Sequence, residues 1–310
     1  MGVMRSLLLK GSESPWLATH VANRRFAQRA VRRFMPGETV DAALAAAEEL
    51  RGRGITAVLT QLGEAVSERG EAEAVTAHYL NVLDRVQRTE VPAQLSVKPT
   101  QLGLDLGVEI CMAHAKRLVD RADQVGTFVW IDMEASPYVD ATLDLYRALR
   151  AEQQNVGVCL QAYLYRTAAD LESLLPIHAS IRLVKGAYSE LPGVAFVRKA
   201  DVDENFMKLA KRLLSGSGRE GGVRHGFGTH DMQLVARIRD FAEGAGITKD
   251  AYEIQMLYGI RRNDQVRLSA EGASVRVLIS YGSAWFPWYM RRLAERPANL
   301  GFVLRSVFTS

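Results

Sequence analysis

The stretch Ile55-Thr56-Ala57-Val58-Leu59-Thr60-Gln61-Leu62-Gly63-Glu64 decides the fold. Its first six residues are apolar or β-branched, the composition of a buried strand. A doubly wound nucleotide-binding sheet places a glycine-rich phosphate loop directly after its first strand. Gln61-Leu62-Gly63-Glu64 is no such loop, so the strand belongs to another parallel arrangement.

Seven further runs of the same kind follow, at 94–97, 127–132, 156–161, 181–184, 224–228, 252–256 and 275–279. They recur about every 31 residues. Amphipathic helical stretches lie between them at 75–87, 109–125, 139–152, 203–214, 232–243 and 264–268. A strand–helix–strand rhythm at that period implies parallel pairing through right-handed crossovers. Eight such units close into a (β/α)8 TIM-like barrel more naturally than they form an open sheet. The expected α/β architecture is a helical arm over 1–40, a barrel over 41–310, and a final helix at the barrel mouth. The glycine-rich segment 216–222 reads as a surface loop before the sixth strand, not as a phosphate cradle.

Composition agrees. Apolar residues make up 48% of the 310 and charged ones 24%, a balance that supports a sizeable core. A net charge of +4 does not select nucleic acid as a partner. Cys111 and Cys159 suggest buried thiols in a reducing compartment, not a disulfide framework. No apolar run reaches the ~18 residues of a membrane span, and a cytoplasmic location is expected. Arg24, Arg25, Arg29, Arg32 and Arg33, interleaved with Val21, Phe26, Val31 and Phe34, form a basic amphipathic segment. It reads either as a solvated helix packed on the barrel or as a contact with an anionic membrane surface.

Side chains at the C-terminal ends of barrel strands converge on one mouth. Here those positions carry Lys98, Asp132, Gln161, Lys185 with Tyr188, Thr229 with His230, Gln255, and Ser280 with Tyr281. A Lys98–Asp132 ion pair across adjacent strand ends would satisfy both groups, as a structural or a catalytic pair. Arg182 sits inside an apolar strand, where a cation must be paired or meet an anionic ligand. Tyr289, Arg292 and Glu295 share a helix face, and Arg291 with Arg292 can hold a carboxylate bidentately. Two other chemistries use the same residue types. Lys185 or Lys98 could serve a Schiff-base aldolase or lyase, and His225, His230 and Asp231 could serve a metal-dependent hydrolase. The histidine spacing lacks a metal-binding motif, and no metal is expected.

The sequence resembles the proline dehydrogenase family, in its short bacterial form. The resemblance rests on Ser96-Val97-Lys98, Asp132-Met133-Glu134, Leu160-Gln161-Ala162-Tyr163, Arg182-Leu183-Val184-Lys185-Gly186-Ala187-Tyr188, Gly228-Thr229-His230-Asp231, Glu253-Ile254-Gln255-Met256-Leu257-Tyr258-Gly259 and Arg291-Arg292-Leu293-Ala294-Glu295. They appear in family order and span two-thirds of the chain. The resemblance implies oxidation of L-proline by hydride transfer to FAD, with electrons passing to a quinone. It implies that Asp132 and Arg182 are catalytic, with Asp132 orienting Lys98, and that Lys98, Arg291 and Arg292 bind the proline carboxylate. Leu257, Tyr281 and Tyr289 would wall the ring, and Glu295 would pair with an arginine of the clamp. Met133, Gln161, Arg182, Lys185, Gly186, Ala187, Tyr188, Thr229, His230 and Gln255 would contact FAD. Ser189 follows Tyr188, where some relatives carry an aromatic.

The resemblance predicts that Arg291→Ala or Arg292→Ala raises KM for proline by about tenfold or more, a loss of ~1.4–3 kcal/mol per charge-assisted contact. Steady-state kinetics check this, and an unchanged KM in both variants removes the clamp.

Overall fold

The computed structural model describes residues 31, 33–63 and 65–286. All eight expected strands form: β1 (Thr56–Gln61), β2 (Ala93–Val97), β3 (Val129–Ile131), β4 (Val156–Gln161), β5 (Ser180–Val184), β6 (His225–Gly228), β7 (Tyr252–Leu257) and β8 (Ser274–Tyr281). Each is parallel to its neighbours, and β8 returns to β1 to close the barrel. Helix α1 (Val40–Arg51) leads into β1, capped by Thr39, whose side chain accepts from the Ala42 amide. The crossovers run through α2 (Arg69–Thr89), α3 (Val108–Val125), α4 (Val139–Glu152), α5 (Thr167–Leu174), α6 (Lys199–Leu213), α7 (Met232–Gly244) and α8 (Arg262–Ala270).

Two of these helices extend what periodicity suggested. The eight residues of α5 are too few to display a 3.6-residue repeat, and α1 buries one face through Val40, Ala43, Leu44 and Ala47. Strand β3 is shorter than expected, yet the Asp132 amide past its end still donates to Val97 O at 2.8 Å. Segment 216–222 is a surface loop containing one 3-10 turn, Gly216–Arg219. Of the expected arm over 1–40, residues 1–30 and 32 lie outside the described residues, as does the expected final helix beyond 286.

Period-two alternation divides each strand between two environments. The outward residues, such as Leu59, Leu95, Ile131, Leu183 and Val277, merge with the helices into one large apolar core. The inward residues form a smaller and more polar set. Val58, Phe128 and Trp130, with Leu278, fill the middle of the lumen. Toward the N-terminal end, Arg276 binds Glu253 through two bonds of 2.8 and 2.7 Å, and Gln255 Nε2 donates to Glu253 Oε2 at 2.9 Å. Burial pushes the Glu253 carboxyl up, but Arg276 outweighs it and holds the group below its ordinary value. A cavity of about 620 Å3 opens at that end, lined in part by Thr56, Asn155, Ser180 and Arg224.

Gly157 makes the lumen packing possible. A Cβ there would lie 2.6 Å from the Trp130 ring and 2.9 Å from the Phe128 ring. Neither ring can retreat, because both are enclosed. Gly157→Ala should therefore destabilise the protein by about 1–3 kcal/mol through overpacking. Gly244→Ala, where no atom lies within 4 Å of the added carbon, should not. Urea unfolding of both variants checks the contrast.

Candidate active site

The mouth is assembled from strand ends that are distant in sequence. Closing the barrel brings Ser96 of β2, Asp132 after β3 and Arg182 of β5 together. Ser96 Oγ donates to Asp132 Oδ1 at 2.9 Å and accepts from Arg182 Nη2 at 2.6 Å. Arg182 Nη2 also donates to Asp132 Oδ1 in a close ion pair. Arg182 is 4% exposed. Burial works against its charge, but the Asp132 carboxylate more than offsets this and raises its affinity for the proton. The guanidinium lies over the Trp130 ring, 5.1 Å from the centroid. Its Nη1 is buried and makes no hydrogen bond. The Cys159 thiol lies beside the guanidinium, and burial pushes that thiol up, so it stays neutral.

This arrangement corrects one expectation. Asp132 pairs with Arg182 and not with Lys98. The reason is register: Arg182 points into the lumen at the level of Ser96, within reach of the carboxylate. Lys98 is half-buried at the mouth with Nζ 3.5 Å from Gly63 O, and its charge acts on Glu134. Glu134 is buried, and that burial pushes its carboxyl up even though the Thr100 amide and hydroxyl donate to it at 3.0 and 2.7 Å.

Tyr281 is also placed differently. It belongs to the outward-facing set of β8, is 1% exposed, and bonds His78 Nε2 on α2 through its hydroxyl at 2.9 Å. The inward positions of β8 are Arg276, Leu278 and Ser280, so Leu278 lines the lumen instead. A tyrosine one residue past an inward serine points at the helices, whatever its chemistry suggests.

The other expected cofactor residues ring the same mouth. Gln161 is buried and donates to Glu134 O at 2.9 Å. Thr229 Oγ1 accepts from the Asp231 amide at 3.1 Å, and His230 Nε2 accepts from the Leu257 amide at 2.9 Å. Gln255 is the exception: it is buried in β7, two residues below Leu257, and its amide is turned toward the N-terminal end, where it donates to Glu253. Gly186 has φ +120°, and a Cβ there would meet the Tyr163 ring at 2.3 Å, so only glycine fits this turn. Met133 is buried beside Asp132, while Ala187 and Tyr188 are exposed on the loop after β5. Lys185 Nζ donates to Asp203 at 2.5 Å and Asp231 at 3.0 Å, and Lys199 shares both carboxylates. His225 is far from His230: it sits at the start of β6, bonded to the Ile181 amide and Gly218 O, so the three-residue metal set does not assemble. Tyr289, Arg291, Arg292 and Glu295 lie outside the described residues.

Ser96, Trp130, Glu134, Asp203 and Leu278 join the mouth or the lumen without having been given a role from sequence. The alternation Gln94-Leu95-Ser96-Val97-Lys98 could have pointed to Ser96, since it puts Ser96 on the face of Lys98.

Comparisons with known proteins agree on one family. The family model described as "Proline dehydrogenase" matches residues 43–305. Proline dehydrogenase 1 of Bacillus subtilis is 36% identical over 277 residues, 89% of this chain and 90% of that protein. Proline dehydrogenase of Deinococcus radiodurans is 35% identical over 280 residues, 89% of each. Among solved structures, proline utilization A from Bdellovibrio bacteriovorus, inactivated by N-propargylglycine, superposes with a TM-score of 0.82 at 25% identity. That alignment covers 94% of this chain and 36% of the larger protein.

The carboxylates around Lys185 make acid stability a test of the mouth. Burial pushes Asp231 up, but its bonds to Lys185 and Lys199 outweigh this and lower it to about 2. The folded protein therefore binds this proton less tightly than the unfolded chain. The contribution is fully present above the ordinary aspartate value and is lost as pH falls from about 4 toward 2. Asp231→Asn keeps the α7 cap on the Gln233 amide and removes the charge. Unfolding midpoints of the variant should fall less steeply than wild type across that window.

Proposed function

This chain belongs to the proline dehydrogenase family, and from that premise we propose that it oxidises L-proline to 1-pyrroline-5-carboxylate with FAD as hydride acceptor. The observation that carries the reading is the Arg182 guanidinium, a buried cation at the barrel mouth with one nitrogen unpartnered. A desolvated donor without an acceptor costs about 1–3 kcal/mol. A flavin ring with acceptor atoms along its edge removes that cost, and a cation there favours the reduced, anionic ring. The donor set fits FAD in other ways. Gln161, Thr229 and His230 offer amide, hydroxyl and imidazole groups around one mouth, with Lys185 charged at its edge. Gly186 and Ala187 allow close backbone approach, and Met133 and Tyr188 complete the contact.

Bound FAD would supply the acceptor for the hydride on the ring carbon next to the proline nitrogen. The chain's own residues do the rest. Lys98, with Arg291 and Arg292, holds the carboxylate and so fixes the position of a small rigid ring. Leu257 and Tyr289 wall that ring, with Leu278 in the place expected of Tyr281, and Glu295 steadies one guanidinium. Asp132 acts through Arg182, holding it charged and in place. Proline carries both charges, so desolvating it is costly unless each is met. The cations of Lys98 and Arg182 favour loss of the amine proton by the repulsion that lowers an ammonium pKa.

Electrons would pass to a quinone. The basic segment within residues 1–40 would bring the enzyme against the anionic inner face of the membrane. No helix among the described residues is long and apolar enough to cross one. A Schiff-base lyase working through Lys185 is not supported, since it needs a free lysine amine and Lys185 is bonded to two carboxylates, while Lys98, the other lysine open to that role, is assigned here to the substrate carboxylate.

The visible spectrum tests the proposal. The purified protein should be yellow, and anaerobic proline should bleach it. A colourless protein that takes up no FAD overturns the reading.

A further inference from the structure

We infer that Trp130 is a positioning residue for Arg182, its indole face setting the angle at which the guanidinium meets the cofactor. The inference deepens the proposed function and rests on it. Two observations carry it. First, the bonds of Arg182 to oxygen are gathered at one atom: Nη2 meets both Asp132 and Ser96, and beside them lies only the soft thiol of Cys159. With its stem fixed at one end and Nη2 at the other, the planar group can still roll about the axis between them, so these bonds do not by themselves set the tilt of the plane or the direction of Nη1. The Trp130 ring, 5.1 Å from the guanidinium carbon, constrains the plane through cation–π attraction.

Second, Trp130 is itself held on three sides. Its Nε1 donates to Gln94 Oε1 at 2.7 Å, the Phe128 ring packs at 5.0 Å, and Gly157 leaves the space its six-membered ring occupies. Trp130 is fully buried, so the guanidinium rests on a surface that cannot follow it. An apolar plug could be built from any large side chain. A π face fixed below a cation is more specific, because its attraction falls as the ring loses electron density while its shape is unchanged.

That difference supplies the test. Tryptophans carrying one, two and four ring fluorines are placed at position 130 alone, which preserves shape and the Nε1 donor and weakens the π face stepwise. The midpoint potential of the bound flavin and the FAD dissociation constant of the apoprotein are then measured. A guanidinium that wanders stabilises the reduced form less, so the potential should fall stepwise. The expected loss is about tenfold in that equilibrium for the tetrafluoro ring, or about 30 mV for a two-electron couple. The FAD dissociation constant should rise in the same order. An unmoved potential across a series that proline still bleaches overturns the positioning role and leaves the function standing. A rise overturns it too, because the ring would then be withdrawing charge from Arg182 and not placing it. A wild-type protein without flavin overturns both.

Discussion

A guanidinium in the lumen of a closed barrel constrains everything near it. Arg182 is almost wholly removed from water, and an unpaired charge there would be untenable. The surrounding groups answer that demand from several strands: Asp132 supplies the opposite charge, Ser96 bridges the two, and Trp130 offers a π face. None of the three is close to Arg182 in sequence, so the pairing exists only if the barrel closes in the right register. Removing one partner of such a pair costs about 3–5 kcal/mol, because the other is left buried and alone. Stability and chemistry therefore draw on the same contacts.

The lumen extends this arrangement along its axis. Arg224 lies over Phe128 at 5.4 Å, Phe128 packs on Trp130 at 5.0 Å, and Trp130 lies under Arg182 at 5.1 Å. Two aromatic rings thus separate a cation near the N-terminal end from the cation at the mouth. Glu253, bound to Arg276 and 3.7 Å from Arg224, balances the lower charge, as Asp132 balances the upper one. The apolar middle layer blocks the lumen between them. The barrel is a packed core whose polarity rises toward both ends.

The mouth shows how placement differs from residue type. The β8 end offers Leu278, Ser280 and Tyr281, and chemistry alone favours the tyrosine as a wall. Strand pleating gives Leu278 to the lumen and Tyr281 to His78 on α2. In the same way Lys98 and Asp132 are neighbours along the rim, yet the carboxylate goes to Arg182, whose side chain reaches across from β5.

The strand–helix rhythm, the absence of a phosphate loop after β1 and the polar strand ends were all legible in the linear sequence. They depend on local composition and on a period of about 31 residues, and together they specify the barrel and the end at which the candidate site residues gather. The motifs in family order identified the family as well. What the sequence left open was which polar group meets which: Asp132 with Arg182, Lys185 with Asp203 and Asp231, Trp130 beneath Arg182. Those choices follow from inter-strand register and from which way each pleat faces. Both are set by long-range pairing around the closed sheet, and so only the tertiary structure decided them.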